Sequence, residues 1–101
     1  MSRLEQIQKM LAAAPDDLEL HYMLAMEYRA AGDFEAAVAK FDECIERDGA
    51  YTAAFFQKAN TLLAAGDTDQ ARAVLDTGIQ KALAGGDAHA AEEMKALLDT
   101  L

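Results

Sequence analysis

The sequence predicts an all-α protein of about six helices arranged as tandem antiparallel pairs. Three observations carry that expectation. One stretch recurs after a shift of 34 residues, apolar positions fall at helical spacing between turn signals, and the composition is rich in Ala and Leu with one Pro and no Trp. Ala, Leu, Met, Glu, Gln, Lys and Arg lose least on entering a helix. The 101 residues suffice for one domain with its own core.

The 34-residue repeat sets the frame for everything else. Ala30-Ala31-Gly32-Asp33 returns as Ala64-Ala65-Gly66-Asp67, and the same shift pairs Tyr22 with Phe56, Ala25 with Ala59, Ala37 with Ala71, Phe41 with Leu75 and Ile45 with Ile79. All of these matches hold without a gap.

The elements follow in order. Ser2 and Glu5 have capping-box spacing, and Leu4, Ile7, Leu11 and Ala14 form a stripe that Pro15 closes, predicting a helix over 3–14. His21, Leu24, Ala25 and Tyr28 make one face of a second helix over 18–31. Gly32 supplies a left-handed stop and Asp33 a cap. Phe34, Ala37, Val38, Phe41 and Ile45 stripe a third helix over 34–48, which Gly49 ends.

The second copy repeats this as helices over 52–65 and 68–84, with Gly66-Asp67 between them and Asp67 and Gln70 at capping-box spacing. Gly85-Gly86 stops the fifth helix. A sixth over 87–100 carries Ala90, Met94, Leu97, Leu98 and Leu101 along one side. The chain divides as one domain, 1–101, with an N-terminal half-repeat helix in 1–17, repeats in 18–51 and 52–85, and a capping helix in 86–101.

Helices joined by tight turns pack closely where their contacts contain small side chains. Ala25, Ala37, Ala59 and Ala71 occupy such places, with Tyr28, Phe41, Leu62 and Leu75 filling the space between them. In the first copy His21, Leu24-Ala25, Tyr28, Gly32, Ala37, Phe41, Cys44 and Gly49 stand at the motif places of the tetratricopeptide repeat family. In the second those places hold Phe55, Lys58-Ala59, Leu62, Gly66, Ala71, Leu75, Gly78 and Leu83.

The chain therefore resembles that family over 18–85, and the resemblance implies a short tetratricopeptide-type α-solenoid. His21 replaces a bulky aromatic, and Lys58 stands where an apolar residue is usual, its stem packing while its amine reaches water. Leu83 replaces the terminal proline and lets the fifth helix run on. Gly78 costs that helix about 1 kcal/mol relative to Ala, which a close approach to a neighbouring helix would explain.

Several kinds of chemistry find no support. Asp and Glu number 18 against 9 Lys and Arg, a formal net charge of −9, so nucleic acid is an unfavourable partner. A basic or neutral protein surface is easier to accommodate. No apolar run approaches the roughly 20 residues that cross a bilayer, and the N-terminus lacks the apolar core of a signal peptide, so the chain reads as cytoplasmic and without membrane contact.

The single cysteine, Cys44, sits where the repeat wants a small residue and reads as a buried thiol without an activating neighbour. His21 and His89 lie two repeat periods apart, which places both at one motif position in successive frames, too far apart to share a metal. There is no phosphate loop, nucleophile elbow or ligand cluster. No catalytic, metal or cofactor site is expected, and no enzyme.

In the family, the first helix of each pair lines a concave face, and the resemblance places Glu19, Tyr22, Met26 and Arg29 there with Ala53, Phe56, Asn60 and Leu63. Tyr22 and Met26 add a second apolar stripe beyond what the core needs, and a contiguous apolar patch usually marks an interaction site. The expected function is a protein–protein interaction module that takes a peptide or protein surface in this groove, mainly through apolar burial. The alternative is self-association into a homo-oligomer through the same residues. Members that clamp acidic chaperone tails use Lys and Asn in the groove, and only Asn60 is polar at a comparable place.

Overall fold

The computed structural model describes residues 1–101 and contains six helices and no strand: α1 (Arg3–Ala13), α2 (Leu18–Ala30), α3 (Phe34–Arg47), α4 (Thr52–Ala64), α5 (Thr68–Ala84) and α6 (Ala88–Leu98). Every boundary lies within two residues of its expected place. Side-chain caps account for most of the starts. Ser2, Asp17, Asp33, Asp67 and Asp87 each accept a backbone N–H three residues on, at 3.1–3.2 Å, a contact worth about 1 kcal/mol apiece.

The turn inside each pair has no slack. Gly32 adopts φ +80° and Gly66 φ +84°, left-handed values that a side chain resists. The Asp33 N–H returns to the Tyr28 carbonyl at 2.9 Å and the Gly32 N–H to that of Arg29 at 3.0 Å. Asp67 and Gly66 bond Leu62 and Leu63 in the same way, at 2.8 and 3.0 Å. These are Schellman closures. The aspartate that completes one helix through its main chain opens the next through its carboxylate.

Successive helices pack on one another, and α4 also touches α6. The helices thus form two layers, α2, α4 and α6 in one and α1, α3 and α5 in the other. The core has two parts. Ala25, Ala37, Phe41, Cys44 and Ala54 fill the first pair and its junction with α4. Phe55, Ala59, Leu62, Ala71, Leu75, Ala82, Ala91 and Met94 fill the second pair and its junction with α6. Ala25, Ala37, Ala59 and Ala71 are wholly buried, as the small-residue reading requires. Gly78 lies beneath Phe55 and Met94, which supplies the close approach that its presence in a helix implied.

Two features depart from the 34-residue frame. The caps of α2 and α4, Asp17 and Tyr51, are 34 residues apart, but those of α4 and α6, Tyr51 and Asp87, are 36 apart. The cause is α5, which runs 17 residues against 14 for α3 because Leu83 does not stop it as a proline would. His21 and His89 are consequently not equivalent. His21 is buried in α2, whereas the His89 side chain is 84% exposed at the start of α6. The expectation of one shared motif position is corrected by that register change.

Tyr28 is only half buried and meets α1, where Gln8 Nε2 donates to its hydroxyl at 3.2 Å. Arg3 pairs with Glu27 at 2.6 Å beside it, and Ile7 is the residue of α1 that is buried. His21 Nε2 donates to the Pro15 carbonyl at 2.7 Å, which holds the α1–α2 connection against α2. Lys58 behaves as its position suggests: the side chain is 20% exposed, with its stem packed and its ammonium on Asp42.

Candidate protein-interaction groove

The residues expected to line a groove lie on α2 and α4. Glu19 and Ala53 are exposed, and Tyr22, Met26, Arg29, Phe56, Asn60 and Leu63 are half buried. They are not equivalent to one another. Tyr22 stacks on Tyr51 with ring centroids 5.4 Å apart and meets Phe41 edge-on at 5.8 Å. Much of its surface is therefore spent on this protein's own aromatic cluster. Burial pushes the phenols of Tyr22 and Tyr51 up, for Tyr22 against the pull of Gln57 and Arg29.

The α2 and α4 rows are joined by a residue that the pattern did not single out. Arg29 Nη1 donates to Gln57 Oε1 across the two helices, and the Thr61 hydroxyl bonds the Gln57 carbonyl at 2.8 Å within α4. Gln57 is invisible to a search for apolar stripes because it acts through its amide.

A hollow of about 230 Å³ opens between α4 and α6. Ala53 and Phe56 come to it from the expected set. Thr52 and Gln57 join them from α4, and Asp87, His89, Ala90, Glu93 and Met94 form the facing wall on and before α6. Thr52 donates to Asp87 Oδ2 at 3.2 Å and joins the two walls. His89 Nε2 lies 2.6 Å from Glu93 Oε1 on the rim. The α6 wall lies outside the eight residues expected to line the groove. Aligning the helix starts by their caps, Asp17, Tyr51 and Asp87, would have found it.

Cys44 is sealed. It has no exposed surface, and burial, with the Glu43 carboxylate beside it, pushes its thiol up to about 11. A thiol held in that state is a packing group, since the thiolate is the reactive form. No group of three or more His, Cys, Asp or Glu is placed to hold a metal ion, and no helix is long and apolar enough to cross a membrane.

Two family models described as tetratricopeptide repeat match the chain, one over residues 28–98 and the other over 1–54. This chain belongs to the tetratricopeptide repeat family. It is 35% identical over 98 residues to the TPR repeat-containing protein PA0015 of Pseudomonas aeruginosa, covering 97% of this chain and 93% of that one.

Among solved structures, protein BPP2914 from Bordetella parapertussis superposes with a TM-score of 0.86 at 26% identity, over 99% of this chain and 87% of that one. The TPR2B domain of yeast Sti1, solved as a complex with pHsp70, gives 0.85 at 23% identity, over 94% of this chain and 76% of that one. The second likeness shows the fold alone. Tetratricopeptide proteins are typically non-enzymatic adaptors, and the six-helix solenoid of this chain is that of a protein–protein interaction module.

Proposed function

We propose that this tetratricopeptide protein binds an extended peptide segment of a partner along the face formed by α2, α4 and α6, with one partner side chain seated over Phe56. The observation that carries this reading is the hollow between α4 and α6. Its volume of about 230 Å³ falls below the roughly 300–1,000 Å³ of small-molecule sites, so it suits one side chain better than a metabolite. Phe56 lines the hollow and is half buried, which leaves part of it accessible. The solved TPR2B complex with pHsp70 gives a precedent for a bound partner on this fold.

Self-association is the second reading, favoured by the half-buried Leu97, Leu98 and Leu101 at the α6 end. Selecting peptides from a random displayed library, then mapping amide shifts of the labelled protein with the enriched sequence, tests the first. Shifts should cluster on Thr52–Gln57 and Asp87–Met94. Shifts confined to α3 and α5 would move the site to the other layer. Concentration-dependent mass in sedimentation would support self-association.

A further inference from the structure

We infer that the α4–α6 hollow selects a cationic residue flanked by an apolar one, so that the partner segment is basic and not acidic. This rests on the proposed groove and names the chemistry of its occupant.

Carboxylates stand around an apolar floor. Ala53, Phe56 and Ala90 supply the accessible apolar lining over the fully buried Met94, and Asp87 and Glu93 stand on the α6 side. None of the nine Lys and Arg residues lines the hollow. The Asp87 carboxylate caps α6 and accepts from Thr52, yet the residue remains exposed to solvent. Glu93 is 51% exposed and has His89 as its neighbour.

Most of the cations are engaged elsewhere, and Lys9, Lys81 and Lys95, which form no ion pair, do not line the hollow. Lys40 pairs with Glu43 at 2.7 Å, Arg47 with Asp16 at 3.0 Å, Lys58 with Asp42, and Arg72 with Asp69 at 3.4 Å. Arg29, on the groove side, is turned onto Gln57. The face that offers the partly exposed Phe56 ring therefore offers carboxylates with it. A Lys or Arg side chain lays its methylenes on an apolar floor while its charge reaches a rim, and the ring face of Phe56 attracts a cation directly.

The test is a selection from a random dodecapeptide library, with enriched sequences synthesised and measured by fluorescence polarisation. The expected result is enrichment of Lys or Arg next to an aliphatic or aromatic residue. Asp87→Asn/Glu93→Gln should weaken such a peptide by about two- to thirty-fold, the range of two solvent-exposed charge contacts. Asn caps a helix as well as Asp does, so α6 should keep its helicity.

Asp69→Asn/Asp76→Asn removes the same charge from α5 and should change binding less, which separates the site from the general field of an acidic protein. In high salt the preference for basic peptides should shrink while the Phe56-dependent part of binding persists. Enrichment of acidic or uncharged sequences would overturn the inference and leave the groove standing, provided Phe56→Ala still weakens them. So would equal weakening by both charge variants. Enriched peptides that bind Phe56→Ala at full strength would overturn the groove itself.

Discussion

Gly78 lies so close beneath Phe55 that a β-carbon added at position 78 would stand 2.9 Å from the β-carbon of Phe55. The Met94 sulfur would be 2.6 Å away on the other side. Three helices meet at this point, α5 supplying the glycine, α4 the ring and α6 the thioether. The thioether can swing aside, but the Phe55 β-carbon is fixed to the α4 backbone.

Gly78→Ala should therefore destabilise the protein despite the better helix propensity of alanine. The helix gains about 1 kcal/mol and the overpacked junction loses about 1–3 kcal/mol. A net loss near 1 kcal/mol in chemical denaturation is expected. Gly49→Ala, with nothing within 4 Å of the new atom and no positive φ, should be neutral or slightly stabilising. A Gly78→Ala protein more stable than the parent would show that the three helices can separate at no cost.

Ala37 and Ala71 have no exposed surface at the crossings within each pair. Ala→Leu at either should cost about 1–3 kcal/mol by overpacking, read as a lowered melting temperature. Two variants that melt with the parent would mean that the helices of a pair are held apart by something other than these contacts.

Tyr22 and Phe56 should respond differently although they are repeat equivalents. Tyr22→Ala removes a ring packed on Phe41 and Tyr51, so a stability loss of about 2–3 kcal/mol is expected. Phe56→Ala should weaken a selected peptide by about 1–3 kcal/mol with helix content unchanged by circular dichroism. Tyr22→Phe, which keeps the ring, is the informative variant for binding at that position. Full peptide affinity in Phe56→Ala would leave the groove without its anchor, whereas a loss in Tyr22→Phe would assign a role to the Tyr22 hydroxyl.

Alkaline stability should depend on Cys44. Its thiol is pushed up to about 11 in the fold from an ordinary value of 9.0. The unfolded chain releases this proton first, so the contribution is fully present below pH 9 and lost as pH rises toward 11. Linkage limits it to about 3 kcal/mol. The raised Tyr22 and Tyr51 phenols act in the same direction at still higher pH. Urea midpoints at pH 8 and 10.5 should fall more for the parent than for Cys44→Ala. Parallel losses in the two proteins would assign the alkaline limb to the tyrosines alone.

Much of this architecture was legible in the residues. Stripe spacing and turn chemistry placed all six helices, and the alanine positions marked the tight crossings. The failures share a cause: a repeat frame carries positions forward only while helix lengths stay constant. The extension of α5 moves α6 out of register, so His89 does not occupy the place the frame assigns to it and the frame names no α6 residue of the hollow. Periodicity also says which side of a helix is apolar without saying what meets it. Tyr28 turns to α1, and Tyr22 is engaged by Tyr51, a residue just outside any helical stripe.

The double use of Asp33 and Asp67 bears on where this chain can be lengthened or cut. Because each aspartate closes one helix with its N–H and starts the next with its carboxylate, an inserted residue at either turn must break a cap or a closure. Each helix hairpin is therefore expected to open as a unit in amide hydrogen exchange. The junction between hairpins is built otherwise: α4 begins at Tyr51 with no side-chain cap, after exposed Asp48-Gly49-Ala50. Insertions, proteolytic nicks and new chain ends belong at that junction, where hairpins can be spaced without being opened.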